Sequence, residues 1–466
     1  MKFKPIMRKL SNGVTVILDP VEASTDAVMV CFQTGGQDEK PNEYGLTHFC
    51  EHMFCKGTKR FATARDAKDY IENNGGYTNA STSLSTLSFY GRIIAEKLSV
   101  FISFFADRIK NSVFDEKVLE NERGPILDEL RRGLSSTKRQ QTEFLRTKLF
   151  NVFVPDGLVT LGNPQNIKSF TREQMMDFIS RRMAANNCLV CVSGKIDDCE
   201  KIFKQIEKLF SFLPTRDIAP TKAWTYSPSI AHNYIKSAKN VSVEILFRDL
   251  YKRTLDNFYK RKCVSAFEHF FSDRLYDVLR SENGLTYAVR TMYAGNNTVE
   301  VRGIYTESAP ENIARAVALI AKTAYRVYTK DLPKITDLQR YKNQRKLNRA
   351  DFLEDNENRC DTLVNWWKDY HALYDFKKMC DLQDMVSPSD IKKYTRGYFD
   401  IDNISIITHG PNFDGDLKQI WLDNFNANEE LNLKSLKKSC LNKATKRLKE
   451  SENKKAIKAR ENKKCR

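Results

Sequence analysis

Short apolar and β-branched runs alternate along the chain with longer stretches of helical spacing. LSNGVTVILDP predicts strand, turn and strand, with Asn12-Gly13 as the turn. AVMVCFQTGG, residues 27–36, predicts a strand that ends in glycines. Residues 44–56 carry a helical pattern stopped by Gly57. GGYTNASTSLSTLSFYGRI alternates small polar and apolar positions and predicts one long strand, lightly covered on one side. Helical patterns then dominate to about Phe210, broken by the CLVC strand. Residues 212–229 carry three prolines and few periodic apolar positions, which predicts a linker.

Beyond that linker the pattern restarts. VSVEILF resembles the earlier AVMVCFQ strand. NNCLVCVSGKID and DNISIITHGPNFD are both strand-then-glycine units, with Gly194 and Gly410 separated by 216 residues. A repeat at about half the chain predicts two related domains. Strands and helices mix without strict alternation, so the expected class is α+β: two structurally related domains, each an antiparallel-rich mixed sheet packed against helices. The expected organisation is residues 1–211, the linker 212–229, a second domain 230–425 and a tail 426–466.

Composition narrows the class. A chain of 466 residues with 41% apolar and 29% charged residues fits a soluble globular protein, and no run approaches the ~18 apolar residues of a membrane span. The N-terminal MKFKPIMRKLSNG lacks an apolar signal-peptide core. The net charge of +17 is concentrated at one end: residues 434–466 hold 14 Lys/Arg and 3 Glu, and the rest of the chain carries only +6. That tail is low in apolar content and dense in like charge, so it is expected to be disordered or loosely helical, and either to tether the chain to nucleic acid, a ribosome or an anionic surface or simply to solubilise it. The eleven cysteines include one CxxC pair, Cys188 and Cys191. On a strand these point to opposite faces, which is poor geometry for a shared metal. Buried reduced thiols in a reducing compartment, the cytoplasm, are the expectation.

The chemistry concentrates in one pentapeptide. Two of only six histidines fall in His48-Phe49-Cys50-Glu51-His52. On a helix His48 and His52 are about 40° apart, with Glu51 about 60° to the other side of His48. Leu46, Phe49, Cys50 and Met53 occupy the remaining, core-facing side. The i, i+4 spacing lets both imidazoles reach one Zn²⁺, and Glu51 is placed to take a proton from water instead of ligating. The plain alternative is two solvent-facing histidines on an amphipathic helix. A third ligand is sought in VLENERGPILDELRR, where Glu122 and Glu129 are two helical turns apart. Both are equally readable as solvated carboxylates paired with Arg123 or Arg131. Gly124-Pro125 between them predicts a kink or restart of the helix there, which loosens the alignment of the two glutamates. Cys55, on the same side, is read as packing.

GLTHFCEHMFCKGT resembles the zinc segment of the pitrilysin/insulinase family of inverted zincins, in particular its mitochondrial-processing-peptidase branch. Glu122 and Glu129 lie 70 and 77 residues beyond His52, the positions of that family's supporting and zinc-ligating glutamates. RKLSNGVTVIL and GGQDEKPNEYGL match its opening strands. GGYTNASTS, with Asn79 and Ala80, resembles the edge strand on which these enzymes lay an extended substrate. LRSENGLTYAV, with Arg280 and Tyr287 seven apart, resembles its arginine–tyrosine element. The likeness spans roughly residues 5–415 and omits the tail.

The resemblance implies a zinc endopeptidase acting on extended or unfolded peptides. It implies one Zn²⁺ per chain, held by His48, His52 and Glu129, with Glu51 as general base and Glu122 supporting a ligand or its helix. With Pro125 between the two glutamates, Glu129 is expected to survive as ligand and Glu122 to be the more displaced. Arg280 and Tyr287 attend the substrate. It also implies assembly: such enzymes use four related domains, this chain holds two, and a homodimer, or a heterodimer with a paralogue, follows. The competing readings are a non-catalytic scaffold on the same fold and a nucleic-acid-associated protein led by the tail.

Overall fold

The computed structural model describes residues 3–425. The expected basic tail lies outside the described residues. Strands β1 (Ile6–Lys9), β2 (Thr15–Pro20), β3 (Thr25–Phe32), β4 (Gly76–Thr82), β5 (Leu87–Ile94) and β6 (Cys188–Gly194) build a six-stranded sheet in the order β1-β2-β6-β3-β5-β4. β7 (Ile230–Tyr234), β8 (Val241–Arg248), β9 (Val289–Gly295), β10 (Glu300–Ser308) and β11 (Ser405–Gly410) build a second sheet in the order β7-β11-β8-β10-β9. Residues 211–229 between them carry no helix or strand.

The two sheets repeat one topology. In each, the last strand in sequence inserts parallel to one neighbour and antiparallel to the other: β6 between β2 and β3, β11 between β7 and β8. Each inserted strand ends on a glycine at positive φ, 152° at Gly194 and 145° at Gly410. A Cβ at Gly194 would lie 2.0 Å from Asp26 Oδ1, so no side chain fits there. The α+β expectation and the repeat marked by these glycines agree with this architecture.

Strand periodicity sorts the cores. On β6, Cys188, Val190 and Val192 join the main core of the first half, while Leu189 and Cys191 face the other way. The CxxC pair therefore has its thiols on opposite faces of the sheet, as its spacing dictates. Each sheet is covered on its back by a helix from the opposite half of the sequence. Helix Asn356–Tyr370 lays Cys360, Leu363, Val364 and Trp367 on Ile17, Met29, Cys31 and Cys191 of the first sheet. Helix Thr137–Phe150 lays Leu145, Leu149 and Phe150 on Leu246, Val301 and Ile407 of the second. At roughly 1.5–3 kcal/mol for each large apolar side chain fully buried, these exchanged helices contribute substantially to holding the halves together. Within the first of these interfaces, Arg359 forms a bidentate pair with Asp19 at 2.6 and 2.8 Å, and both side chains are 0% exposed.

One sequence expectation fails here. Residues 76–94 form a hairpin of β4 and β5, not one strand. Ser83 closes it: its N–H donates to the Thr86 carbonyl, and its Oγ accepts from the N–H groups of Ser85 and Thr86. A serine hydroxyl that turns the backbone in this way leaves no mark on the polar–apolar alternation. The consequence is functional geometry, because β4 becomes an edge strand, paired among the described residues with β5 alone.

Candidate metal centre

The motif helix, Leu46–Phe54, begins at Gly45, whose φ of 94° favours glycine. Space demands it as well, because a Cβ there would lie 2.6 Å from the Leu161 carbonyl oxygen. Glycine brings no side chain to cap the helix. Glu39 does so from the preceding loop, accepting the N–H of Gly45 at 2.8 Å and that of Thr47 at 2.7 Å. Burial pushes the Glu39 carboxyl up to about 8, against the pull of these two donors and the Thr47 hydroxyl. Leu46, Phe49, Cys50, Met53 and Phe54 are buried in the core, with Phe49 edge-on to Phe170 and Phe54 edge-on to Phe89 and Phe114. The opposite face presents His48, Glu51 and His52.

The second element is helix Glu116–Ser135, capped by Asp115, whose Oδ1 accepts from the N–H of Lys117 and Val118. It runs through Gly124-Pro125 without a break, and Glu122 is buried at its place, so the expected restart and displacement of Glu122 do not occur. An interior proline forfeits one hydrogen bond and crowds the preceding turn, at about 3 kcal/mol. Packing offsets this. Leu119, Ile126 and Leu130 form one buried stripe across the proline, and Arg123 pins the turn before it by donating to the carbonyls of Ile167 and Phe170 at 2.5 and 2.6 Å.

The two helices bring His48, His52 and Glu129 together, with one ligand atom from each within 4.8 Å of the others. No other such group of His, Cys, Asp or Glu occurs among the described residues. Glu129 Oε2 stands 3.5 Å from His48 Nε2 and 3.7 Å from His52 Nε2. Ligands about 2.0–2.1 Å from a tetrahedral Zn²⁺ are roughly 3.4 Å apart, so the three donors fit that ion. Glu122 Oε1 lies 2.8 Å from His52 Nδ1, which leaves Nε2 to face the cluster. Lys56 in turn pairs with Glu122 Oε2 at 2.6 Å. His48 Nδ1 is buried without a partner.

The charges respond accordingly. Burial, with His52 alongside, lowers His48 to about 4. Burial works the same way on His52, but the carboxylates of Glu122 and Glu129 outweigh it and hold it up at about 9. Its hydrogen bond to His52 draws Glu129 down to about 2. Glu122 also sits below the usual carboxylate range: burial opposes this, and His52 and Lys56 prevail. Glu51 accepts a 2.6 Å hydrogen bond from Thr82 Oγ1, and burial raises its carboxyl against that donor.

The remaining sequence candidates fall into two places. Asn79 and Ala80 lie on the open edge strand β4, where Asn79 Oδ1 accepts the Ala80 N–H at 2.9 Å. Thr82, the last residue of that strand, ties it to Glu51. Arg280 and Tyr287 share no hydrogen bond or ion pair with the cluster among the described residues. Arg280 lies in a π-helical turn, Asp277–Glu282, and donates to the Tyr287 carbonyl at 2.5 Å. Its guanidinium stacks on the rings of Tyr276 and Tyr287, and Tyr287 is 84% exposed. Cys55 closes the motif helix through its N–H and takes no place in the ligand set. Sequence reasoning does not single out Thr82, Lys56 or Glu39. Lys56, one turn past His52, carries a helical-spacing signal; a loop residue such as Glu39 carries none.

Residues 15–152 match the family model described as Insulinase (Peptidase family M16), and residues 169–345 match Peptidase M16 inactive domain. An uncharacterized zinc protease of Rickettsia bellii is 27% identical over 314 residues, 66% of this chain and 74% of that protein. A probable mitochondrial-processing peptidase subunit beta of Arabidopsis thaliana is 32% identical over 205 residues, which is 44% of this chain and only 38% of that protein. Among solved structures, a protease from Helicobacter pylori superposes with a TM-score of 0.76 at 17% identity, covering 88% of this chain and 100% of that one. The first half of the periplasmic protease PqqL from Escherichia coli gives 0.73 at 16% identity, covering 92% and 97%. At such identities these structures speak for the fold alone.

Proposed function

This chain belongs to the M16 peptidase family, and from that premise we propose that it is a zinc endopeptidase that hydrolyses extended or unfolded peptides. The observation that carries this reading is the convergence of His48, His52 and Glu129 at zinc-compatible distances, with Glu51 beside them. A zinc ion held by these three would supply Lewis acidity toward water and the scissile carbonyl.

The chain's own residues do the rest. Glu51 has Oε2 committed to Thr82, so Oε1 takes the proton from water and later returns it to the leaving amine. Burial keeps that carboxyl basic enough for the task. Glu122 holds His52 by Nδ1, fixing the ring with Nε2 toward the ligand set. The open edge of β4 at Asn79 and Ala80 receives substrate as an added strand, which gives affinity with little sequence demand. Arg280 and the exposed Tyr287 are assigned to substrate contact. The zinc motif and the Arg280/Tyr287 element occur on this one chain, which favours a working homodimer, or a dimer with a paralogue, in which the second domain of one subunit completes the active site of the other.

Metal analysis of the purified chain with peptide-cleavage mapping tests this reading, with Glu51→Gln as control. The expected result is about one zinc per chain and cleavage lost in Glu51→Gln. A chain that binds no zinc, or equal cleavage by both proteins, overturns it. Mixing Glu51→Gln with Tyr287→Phe chains should restore activity if subunits complement each other. No rescue under demonstrated exchange removes the sharing.

A further inference from the structure

The cations near the metal centre are not equivalent. Lys56 is committed to Glu122 at 2.6 Å, and Arg123 to Glu120 and two carbonyls. Arg139, near the start of helix Thr137–Phe150, is exposed, and its side chain makes no hydrogen bond or ion pair among the described residues. Its position is nevertheless defined. Nη1 lies 2.9 Å from where a Cβ on Gly133 would stand, so the guanidinium rests over bare helix backbone. Gly133 follows Glu129 by four residues in helix Glu116–Ser135, on the same face and about 6 Å along the axis. A side chain at position 133 would meet both Arg139 and Leu158 Cδ1, the latter at 2.6 Å, and would push the guanidinium away. A helix-interior glycine costs about 1 kcal/mol relative to alanine, and here it makes room for a cation beside the ligand set.

Arg139 acts on that set. His48 and Glu129 both feel its positive charge. Its charge also bears on Glu143, one turn further along the same helix, whose carboxylate is bonded to Arg146 at 2.6 Å. The guanidinium is thus a planar donor fork with no hydrogen-bonded carboxylate of its own among the described residues, resting one helical turn beyond Glu129. Such a fork suits a carboxylate, which it can hold through two parallel hydrogen bonds.

We propose that Arg139 is a specificity-determining anchor for a carboxylate of the bound peptide, either an acidic side chain close to the scissile bond or the peptide's own C-terminus. This rests on the peptidase reading above and narrows its substrate class to peptides with negative charge near the cleavage point.

The test uses the zinc-loaded full chain and its Arg139→Gln and Arg139→Glu variants. Fluorogenic peptides carry Glu, Gln or Lys at each of the three positions on either side of the scissile bond, with a free or an amidated C-terminus. The expected result is a preference for Glu over Gln of about tenfold in kcat/KM at one position, lost in Arg139→Gln and turned toward Lys in Arg139→Glu. If the carboxylate is the terminal one, the preference appears between free and amidated peptides instead and responds to the variants in the same way. Equal zinc content confirms that the variants fold. The absence of any carboxylate preference, or one that persists in Arg139→Glu, overturns the proposal. Binding of the same peptides to the zinc-loaded Glu51→Gln chain, read by fluorescence anisotropy, separates the two readings. If nothing is cleaved, the peptidase reading fails, and a binding preference that reverses in Arg139→Glu still supports the anchor. Charge-independent binding sinks the anchor as well.

Discussion

Thr82 donates its hydroxyl hydrogen bond to Glu51 Oε2 at 2.6 Å, so the final residue of the edge strand β4 is fastened to the carboxylate beside the two histidines. The strand proposed to receive substrate and the group proposed to move the proton are thus held in one frame.

Thr82→Val removes the donor while keeping the shape. We expect kcat to fall by about tenfold with KM and zinc content little changed, and Thr82→Ser to recover most of the loss. Steady-state kinetics on one peptide decides it; a change confined to KM would mean that Thr82 serves the strand and not the carboxylate.

Glu129→Gln should lose most zinc affinity. Glu122→Gln, which disturbs the partner shared by His52 Nδ1 and Lys56, should weaken it by about 10–100-fold. Competition with a chelator measures both. Wild-type affinity in Glu122→Gln would take that residue out of the supporting role.

Arg359→Ala leaves Asp19 fully buried and without its ion-pair partner. A loss of about 3–5 kcal/mol in unfolding free energy is expected. Replacing both partners with apolar residues, Asp19→Leu with Arg359→Met, should recover much of it. Denaturant titration supplies the numbers, and a loss under about 1 kcal/mol for Arg359→Ala would show that water reaches the carboxylate.

Asp26 supplies a pH signature away from the metal. Burial pushes its carboxyl up to about 7 despite the Lys195 N–H it accepts, and its Oδ2 has no hydrogen-bond partner. The folded chain therefore holds a proton that the unfolded chain releases at its ordinary value of 3.8. Stability from this group is complete below that value and is lost as pH rises through about 7. Asp26→Asn should flatten that part of the Tm–pH profile and raise Tm above about pH 7. An unchanged profile would mean that Asp26 titrates alike in the folded and unfolded chains.

The parts legible in the sequence are those carried by fixed spacing. His48, Glu51 and His52 share a helix, Glu129 falls at the matching distance, and Gly194 and Gly410 mark two copies of one strand insertion. Features decided by contacts between distant segments were not legible. Pro125 reads as a break, yet the stripe of Leu119, Ile126 and Leu130 and the grip of Arg123 carry the helix through it. The turn at Ser83 hides in an alternating pattern. Glu39, Thr82 and Arg139 acquire meaning only beside the residues that the fold brings to them.

The exchange of covering helices has a consequence for any attempt to dissect the protein. Cutting within residues 212–229 would give two fragments, each carrying the cover that its sibling needs and lacking its own. Expressed singly, each would present a bare apolar sheet and self-associate. Produced together, they should knit into one soluble particle without a peptide bond between them.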